Sequence, residues 1–170
     1  MSYMNPSPGV SGAQVTLTLG NNTGNVYTGN IVLPALQDIT LNNSNDVFTW
    51  TQLDSTAKQQ VATTATNSLS MNIVVDETTF FGNVATWGSG TTTSTTMADL
   101  GVMGLSRNKT KIDFCLAFEG DSGNKFISGL GYITGIAPTV SADSPVWVTP
   151  VTITVTGEYV VGTTAPDITK

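Results

Sequence analysis

The sequence predicts a mainly β protein with a β-sandwich or barrel-like core, and three observations support this class. Apolar and polar residues alternate in several segments, which is the period of half-buried strands. Thr, Ser, Asn and Gly fill most polar positions, and turn-forming clusters separate the segments. A chain of 170 residues matches the size of one domain, so we predict a single domain over residues 1–170.

Alternation predicts strands in segments 15–19, 26–33, 36–41 and 69–75, and again at 147–149 and 151–156. Segments 111–118 and 125–136 are joined by a Gly-rich turn and are predicted to form a hairpin. In two of these strands the apolar residues fall on one face. The residues predicted to face the core there are Leu69, Met71, Ile73, Val75, Ile112, Phe114, Leu116 and Phe118.

One short helix is predicted, at about 94–105. Its start carries cap-forming hydroxyl residues, and Asp99 lies where the positive end of the helix dipole would be. The candidate cap is Ser94, Thr95 or Thr96. Gly101 and a second internal glycine each weaken the helix by about 1 kcal/mol relative to alanine, so packing must hold it in place.

Segment 42–67 has little periodicity and consists mainly of small polar residues. A connection longer than about 12–15 residues is unusual in a compact domain unless it is functional or disordered. Two interpretations remain open, an assembly loop and a long hairpin that extends past the domain body. Because Phe48, Trp50 and Leu53 are large apolar groups in this polar segment, we predict that they meet a neighbouring subunit.

The adjacent residues Phe80 and Phe81 follow a predicted strand, with Asp76 and Glu77 at its end. Neighbouring residues of a regular strand point to opposite faces. Phe80 and Phe81 therefore cannot both face the core, and both are candidates for the assembly interface.

The two ends of the chain are predicted to be extended. The N-terminal arm, residues 1–13, and the C-terminal tail, residues 157–170, contain Pro, Gly and Thr with few apolar groups. Ordering such segments requires a partner.

Charge excludes several classes of function. Only 11% of the residues are charged, against about 25% in typical soluble domains, which suits a subunit whose faces become buried. Twelve acidic and six basic residues give a net charge of −6, the wrong sign for stable nucleic-acid binding. No secretory signal or apolar segment of membrane-spanning length is apparent, so we expect synthesis in the cytoplasm and no membrane partner.

Catalytic constellations are not apparent either. The chain has no histidine, which removes the usual general base and most hydrolase and zinc sites. Asp76 and Glu77 are adjacent on the predicted strand, so their carboxylates would point to opposite faces and could not act together on a glycosidic bond. The other carboxylates are scattered along the sequence, and they give little support for a glycosidase. Cys115 is the only cysteine and is predicted to be a small buried residue. We predict no catalytic, cofactor-binding or metal-binding residues.

The order of elements resembles the tail tube (major tail) protein family of long-tailed bacteriophages, which is related in fold to the type VI secretion tube protein. The resemblance is carried mainly by the second half: the short helix, the hairpin with its Gly-Tyr-Ile-Thr-Gly-Ile run at 131–136, and the closing strand Val-Thr-Ile-Thr-Val-Thr at 151–156. It covers residues 15 to about 159.

This resemblance implies a helix-flanked β-sandwich that forms hexameric rings, stacked into a hollow tube whose inner wall is a continuous β-barrel. It implies that DNA passes through without specific binding, and that segment 42–67 is a loop that orders on assembly. Expected partners are further copies of the chain and the tail terminator, tape-measure and baseplate proteins, in a virion tail built after synthesis in the host cytoplasm. The family has no catalytic residues.

A second class of function fits the composition equally well. Other β-rich virion or surface modules, such as a capsid decoration protein, an adhesin or a pilin-like subunit, share the polar, thinly charged surface. The distinction depends on whether the chain forms tubes or discrete particles.

Overall fold

The computed structural model describes residues 15–21, 27–33, 36–53, 57–83, 96–120, 123–143 and 146–168. The predicted N-terminal arm, residues 1–13, lies outside these residues. So do Ser94 and Thr95, two of the three candidate helix caps.

Seven strands of the described chain form one antiparallel sheet, and two short helices lie between the fourth and fifth strands. The sheet order is β2-β1-β5-β6-β7-β4-β3. This confirms the mainly β class. The elements are β1 (Val15–Asn21), β2 (Asn30–Leu33), β3 (Leu36–Thr51), β4 (Lys58–Val74), α1 (Glu77–Phe81), α2 (Met97–Arg107), β5 (Lys111–Phe118), β6 (Lys125–Ile136) and β7 (Val148–Gly162).

The sheet buries one face, and it curls so that its two ends share one core. Ile31 of the edge strand β2 and Met71 of β4, near the opposite edge, belong to the same buried cluster. Leu69, Ile73 and the predicted core residues of β5 from Ile112 to Leu116 are also buried, which confirms the alternation argument for these two strands. Each fully buried aliphatic side chain contributes roughly 1.5–3 kcal/mol.

Helix α2 covers part of this buried face. Its residues Met97, Leu100 and Leu105 are buried in the core cluster. The Thr96 side chain accepts a hydrogen bond from the Asp99 backbone N–H at 3.3 Å, so Thr96 is the N-cap. The helix extends to Arg107, two residues beyond the predicted end.

The prediction of a strand end at 76–81 was wrong, because these residues form helix α1. Asp76 is its N-cap, and its carboxylate accepts hydrogen bonds from the first turn. In a helix, adjacent residues do not point to opposite sides. Phe80 is nevertheless 1% exposed and Phe81 37% exposed, and their rings pack edge to face with centroids 5.0 Å apart.

Two glycines allow the end of α1 to contact the backbone of α2. Gly101 has φ 64° and ψ 178°, which interrupts α2 with a kink, and Gly82 has φ 80°. A Cβ at Gly101 would lie 2.5 Å from the Gly82 nitrogen and 2.6 Å from the Phe80 oxygen. The glycine that appeared only to weaken a helix is therefore required by close backbone packing.

The C-terminal region is partly incorporated into the sheet. Strand β7 continues through Gly162, and residues 160–162 of the predicted tail at 157–170 pair with β6 beyond a register shift. Further on, Ile168 is buried against Gly20 of β1, where a Cβ would overlap the Ile168 backbone oxygen. This segment covers the face of β1 that points away from the core.

We expect Gly101→Ala to lower the free energy of unfolding by about 3 kcal/mol or more, because a Cβ adds backbone strain and overlaps α1. Gly29→Ala is the matched control: Gly29 also has positive φ, 86°, but no atom of the described residues lies within 4 Å of an added Cβ. Strain alone should cost this control about 1–2 kcal/mol. Chemical denaturation measures both values, and equal losses would show that the helix contact contributes nothing.

Candidate assembly surface

Strands β3 and β4 form a hairpin that extends well beyond the core. They pair from Leu36 and Ile73 to Thr51 and Lys58, whereas β4 pairs with β7 only at 68–74. The remainder is a two-stranded ribbon about 30 Å long. Of the two interpretations of segment 42–67, the structure has the long hairpin.

The point at which the hairpin leaves the core is set by a change of residue type. Leu41 and Leu69 are the last apolar pair on the core face, and the next pair on that face is Asn43 and Asn67. The Asn43 amide donates to the Tyr159 hydroxyl at 3.2 Å, while the buried Asn67 Oδ1 accepts no hydrogen bond from the described residues. Polar side chains therefore end the core here.

Beyond this point neither face of the hairpin is covered. Every described residue at 42–53 and 57–66 is exposed. A bulge between Asn45 and Val47 shifts the register, and the Thr63 hydroxyl donates to the Asp46 carbonyl oxygen at 3.1 Å there. Two-stranded ribbons are only marginally stable alone, so a partner surface would stabilise this one.

An apolar cluster lies near the tip of the hairpin. Phe48 is 59% exposed, Trp50 is 37% exposed, and their rings stack with centroids 5.9 Å apart. Val61 pairs with Phe48 across the ribbon, and Leu53 is fully exposed in the turn region. We call Phe48, Trp50, Leu53 and Val61 the hairpin patch. Grouped exposed apolar side chains of this kind mark interaction surfaces.

The structure separates the five predicted interface residues into three places. Phe48, Trp50 and Leu53 lie together in the hairpin patch. Phe80 is buried inside the subunit, so it is not available to a neighbour, and the adjacent Phe81 is exposed at a different surface.

That second surface is a groove of about 750 Å³ where α1 meets the start of β7. Among the described residues that line it, Val75, Phe81 and Trp147 are apolar and Glu77 is charged. The Val75 N–H donates to the Trp147 carbonyl oxygen at 2.8 Å, which holds the two walls together. We call this the aromatic groove. The aromatic groove was not predicted from the sequence, because α1, which forms one of its walls, was not predicted.

Asp76 fixes the orientation of α1 beside this groove. One carboxylate oxygen accepts from the Thr79 N–H at 3.0 Å, the Thr78 hydroxyl at 2.7 Å and the Thr79 hydroxyl at 2.9 Å. These hydrogen bonds lower the pKa of Asp76 from 3.8 to about 2, and the one from the Thr79 backbone N–H contributes most.

A third surface is the polar face of the sheet, on the side of β3, β4, β6 and β7 that points away from the core. Its side chains bond to one another across strands: the Asn72 amide donates to Asp38 Oδ2 at 2.8 Å, and the Thr134 and Thr154 hydroxyls are 2.8 Å apart. On the adjoining strand β5 the same face carries one basic and one acidic residue, Lys111 opposite Tyr132 and Asp113 opposite Leu130. Where β3, β4, β7 and β6 meet, Asp38 is the one charged residue among the following ten: Asp38, Thr40, Asn42, Ser68, Ser70, Asn72, Tyr132, Thr134, Thr152 and Thr154.

Across the described residues, no group of three or more His, Cys, Asp or Glu side chains is placed to hold a metal ion. Nor does that part of the chain contain a helix of the length and apolar character needed to cross a membrane.

Known proteins resemble this chain in structure rather than in sequence. No protein-family model and no curated protein sequence matches it. The SPP1 tail tube is similar with a TM-score of 0.60 and 9% identity, over 90% of this chain and 79% of that one. A chain from the tail of an empty gene transfer agent (GTA) particle, with C6 symmetry, has a TM-score of 0.55 and 14% identity over 92% of this chain and 100% of that one.

The chain has the tail tube fold. A chain from the six-fold symmetrised baseplate of the anti-feeding prophage is also similar, with a TM-score of 0.59 and 13% identity over 95% of this chain and 97% of that one. Similarity in this tail tube fold extends over most of the chain.

We expect Trp50→Ala to change the free energy of unfolding of the isolated subunit by less than about 1 kcal/mol, because the side chain lies on an exposed ribbon. Phe80→Ala, at a buried aromatic position, should cost about 3–5 kcal/mol. Urea denaturation under conditions that keep the protein monomeric measures both. A loss of several kcal/mol for Trp50→Ala would show that the hairpin patch packs within the subunit.

The Asp76 cap predicts a specific acid response. A lowered pKa in the folded state means that the ionised carboxylate contributes stability above its unfolded pKa of about 3.9, and that this contribution is lost as the pH falls towards about 2. Asparagine also caps helices but does not ionise. Asp76→Asn should therefore lower Tm most near neutral pH, with a difference from the native chain that shrinks between about pH 4 and 2.

Glu77→Gln is the matched control for this titration, because it removes an exposed carboxylate one residue further on. Thermal melts at a series of pH values compare the three proteins. If Glu77→Gln reproduced the whole pH-dependent difference, the effect would come from general charge and not from the Asp76 cap.

Proposed function

We propose that this chain is the structural subunit of a phage tail tube, which assembles with copies of itself into hexameric rings that stack around a channel for DNA. The observation that carries the proposal is the agreement in fold over most of both chains with the SPP1 tail tube and with the tail of a GTA particle. The C6 symmetry of the GTA tail supports six subunits in a ring.

The polar face is the surface we assign to the channel wall. Hydroxyl and amide side chains dominate it, and several of them bond to one another. Its charged groups are the acidic Asp38 and, on the adjoining β5, Lys111 and Asp113, so its net charge is acidic. A basic wall would hold DNA by releasing counterions from its phosphates. A neutral to acidic wall lets DNA move through without being retained, in agreement with the net charge of −6.

The hairpin is the element we assign to assembly. Its strands have no core of their own, and its patch exposes two stacked aromatic rings to water. Contact with a neighbour would bury this apolar area and supply the packing surface that a two-stranded ribbon lacks. Assembly would then stabilise the hairpin.

A tube of this kind ends at specialised partners. We propose a tail terminator at one end, a baseplate at the other and a tape-measure protein within, with the assembly located in the virion tail after synthesis in the host cytoplasm. The anti-feeding prophage structure is a baseplate, and another similar chain comes from a sheath/tube terminator of a contractile injection system. The role is structural, and it requires no catalytic residue or cofactor.

Electron microscopy of the purified chain tests the proposal directly. Rings or hollow tubes with six-fold end views are expected. Discrete monomers or trimers at every concentration would favour the other class, a capsid decoration protein, adhesin or pilin-like subunit.

Shortening the hairpin should abolish polymerisation while sparing the fold. Asn45 and Ala65 are paired, so residues 46–64 can be replaced by an Asn-Gly turn, which suits a two-residue hairpin. The shortened chain should keep its β-type circular dichroism and cooperative melt but remain monomeric where the native chain forms rings or tubes. Thr49→Ala, at an exposed hairpin position outside the patch, is the control and should assemble normally. Normal tubes from the shortened chain would remove the hairpin from the mechanism.

A further inference from the structure

The sheet divides into two arms beyond Ser68 of β4 and Thr154 of β7. These two residues are the last described pair between the two strands. Past them, β4 continues with β3 as the hairpin, whereas β7 continues with β6 as far as Gly162. We call this division the fork. Because no described backbone pairing joins the arms beyond it, the angle between them depends on contacts between side chains.

A bulge in β7 brings Tyr159 across the fork. Residues 157–159 lie opposite the single residue Gly129 of β6, and Gly157 at the start of the bulge has φ 82°. A Cβ at Gly129 would lie 3.3 Å from the Tyr159 Cβ, so the glycine leaves room for this side chain. The Tyr159 hydroxyl accepts its hydrogen bond from the amide of Asn43, which belongs to the hairpin. This bond ties one arm of the fork to the other.

Two hydrogen-bonding groups stay unused beside this tie. A hydroxyl that accepts a bond still has its own proton to donate. Asn67 is 7% exposed, and no described group donates to its Oδ1 atom. Asn43 and Asn67 lie directly opposite each other, with Cβ atoms about 4.5–5.5 Å apart, so the hydroxyl bonded to one lies near the other.

The two candidate partners of the Tyr159 hydroxyl differ in their access to water. Asn43 is exposed, so water can replace its bond to Tyr159 at little cost. Water has little access to Asn67, and a buried acceptor without a donor is costly. A change of partner from Asn43 to Asn67 therefore gives up a weak bond and removes that cost, which makes the two arrangements comparable in free energy.

We propose that Tyr159 is a two-position switch that sets the direction of the hairpin. In the structure its hydroxyl accepts from Asn43; in the second position the hairpin arm tilts at the fork, and the hydroxyl donates its proton to Asn67 Oδ1. The switch belongs to the single subunit and does not depend on the proposed function. A partner that binds the hairpin in one direction would select the corresponding position.

A distance between the two arms measures the switch in the full-length chain. With Cys115 replaced by Ala, Thr49→Cys and Val161→Cys carry spin labels at exposed positions of the hairpin and of β7. Pulsed electron paramagnetic resonance, at a concentration that keeps the chain monomeric, gives the distribution of distances. The labelled chain with its fork residues intact should show the tied position as its main distance.

Variants at the fork should change this distribution in a specific order. Asn43→Ala releases the tie and should raise the population of a second, defined distance roughly fivefold. Adding Tyr159→Phe to that variant should abolish the second distance, because the ring stays but the proton donor is removed. Adding Asn67→Leu instead should abolish it too, because the acceptor is lost.

Tyr27→Phe is the matched control for the loss of a hydroxyl. The Tyr27 hydroxyl also accepts from an asparagine amide, that of Asn108 at 3.4 Å, but it lies at the end of α2 and not at the fork. Added to Asn43→Ala, it should leave both distances and their populations unchanged. Thermal melts show that each variant is folded, and Asn67→Ala replaces Asn67→Leu if leucine is not accommodated.

Three results would overturn the switch. Asn43→Ala could give the same distances as the intact fork, it could give a broad spread without a second maximum, or its second distance could remain after Tyr159→Phe. Because the measurement uses monomers, it is independent of whether the chain forms tubes. Electron microscopy of the native chain tests the proposed function separately, so failure of one proposal is distinguishable from failure of the other.

Discussion

The sheet curls until its two ends share a core, and this curvature is what buries the apolar side chains on one face of a single antiparallel sheet. Ile31 at one end of the strand order and Met71 near the other belong to one buried cluster, which α1 and α2 complete. A sheet of this size has no second sheet to pack against in the described chain, so curvature and the helices together supply the missing layer. The close contact between Gly82 and Gly101 brings those helices to the distance that burial of Phe80 requires.

Burial of one face determines what the other face can be. Because the core takes the apolar half of each alternating strand, the polar half of β3, β4, β6 and β7 forms a continuous surface of hydroxyl and amide groups. Those groups bond to one another, as Thr134 does with Thr154, so the surface needs no charged residues to be satisfied. Low charge over these four strands is the property that the proposed channel wall requires.

The same strands leave the core abruptly and continue as the hairpin. The change from Leu41 and Leu69 to Asn43 and Asn67 ends the buried cluster, while β3 and β4 remain paired far beyond it. The subunit therefore has a direction, with an apolar patch on a projecting ribbon at one end of β4 and an apolar groove at the other.

The sequence by itself determined the mainly β class, the core faces of β4 and β5, and the hydroxyl cap of α2, because alternation and capping depend on neighbours within a few residues. It also identified Phe48, Trp50 and Leu53 as apolar groups without local cover. It did not reveal α1, since five residues carry too little periodicity, and it misjudged Gly101, whose role depends on a backbone 20 residues away in sequence. Only the tertiary structure decided that segment 42–67 is a hairpin, that Phe80 is buried while Phe81 borders a groove with Trp147, and that this groove lies at the opposite end of β4 from the hairpin patch. Those relations come from strand pairings across tens of residues, and the alternation of single strands contains no information about them.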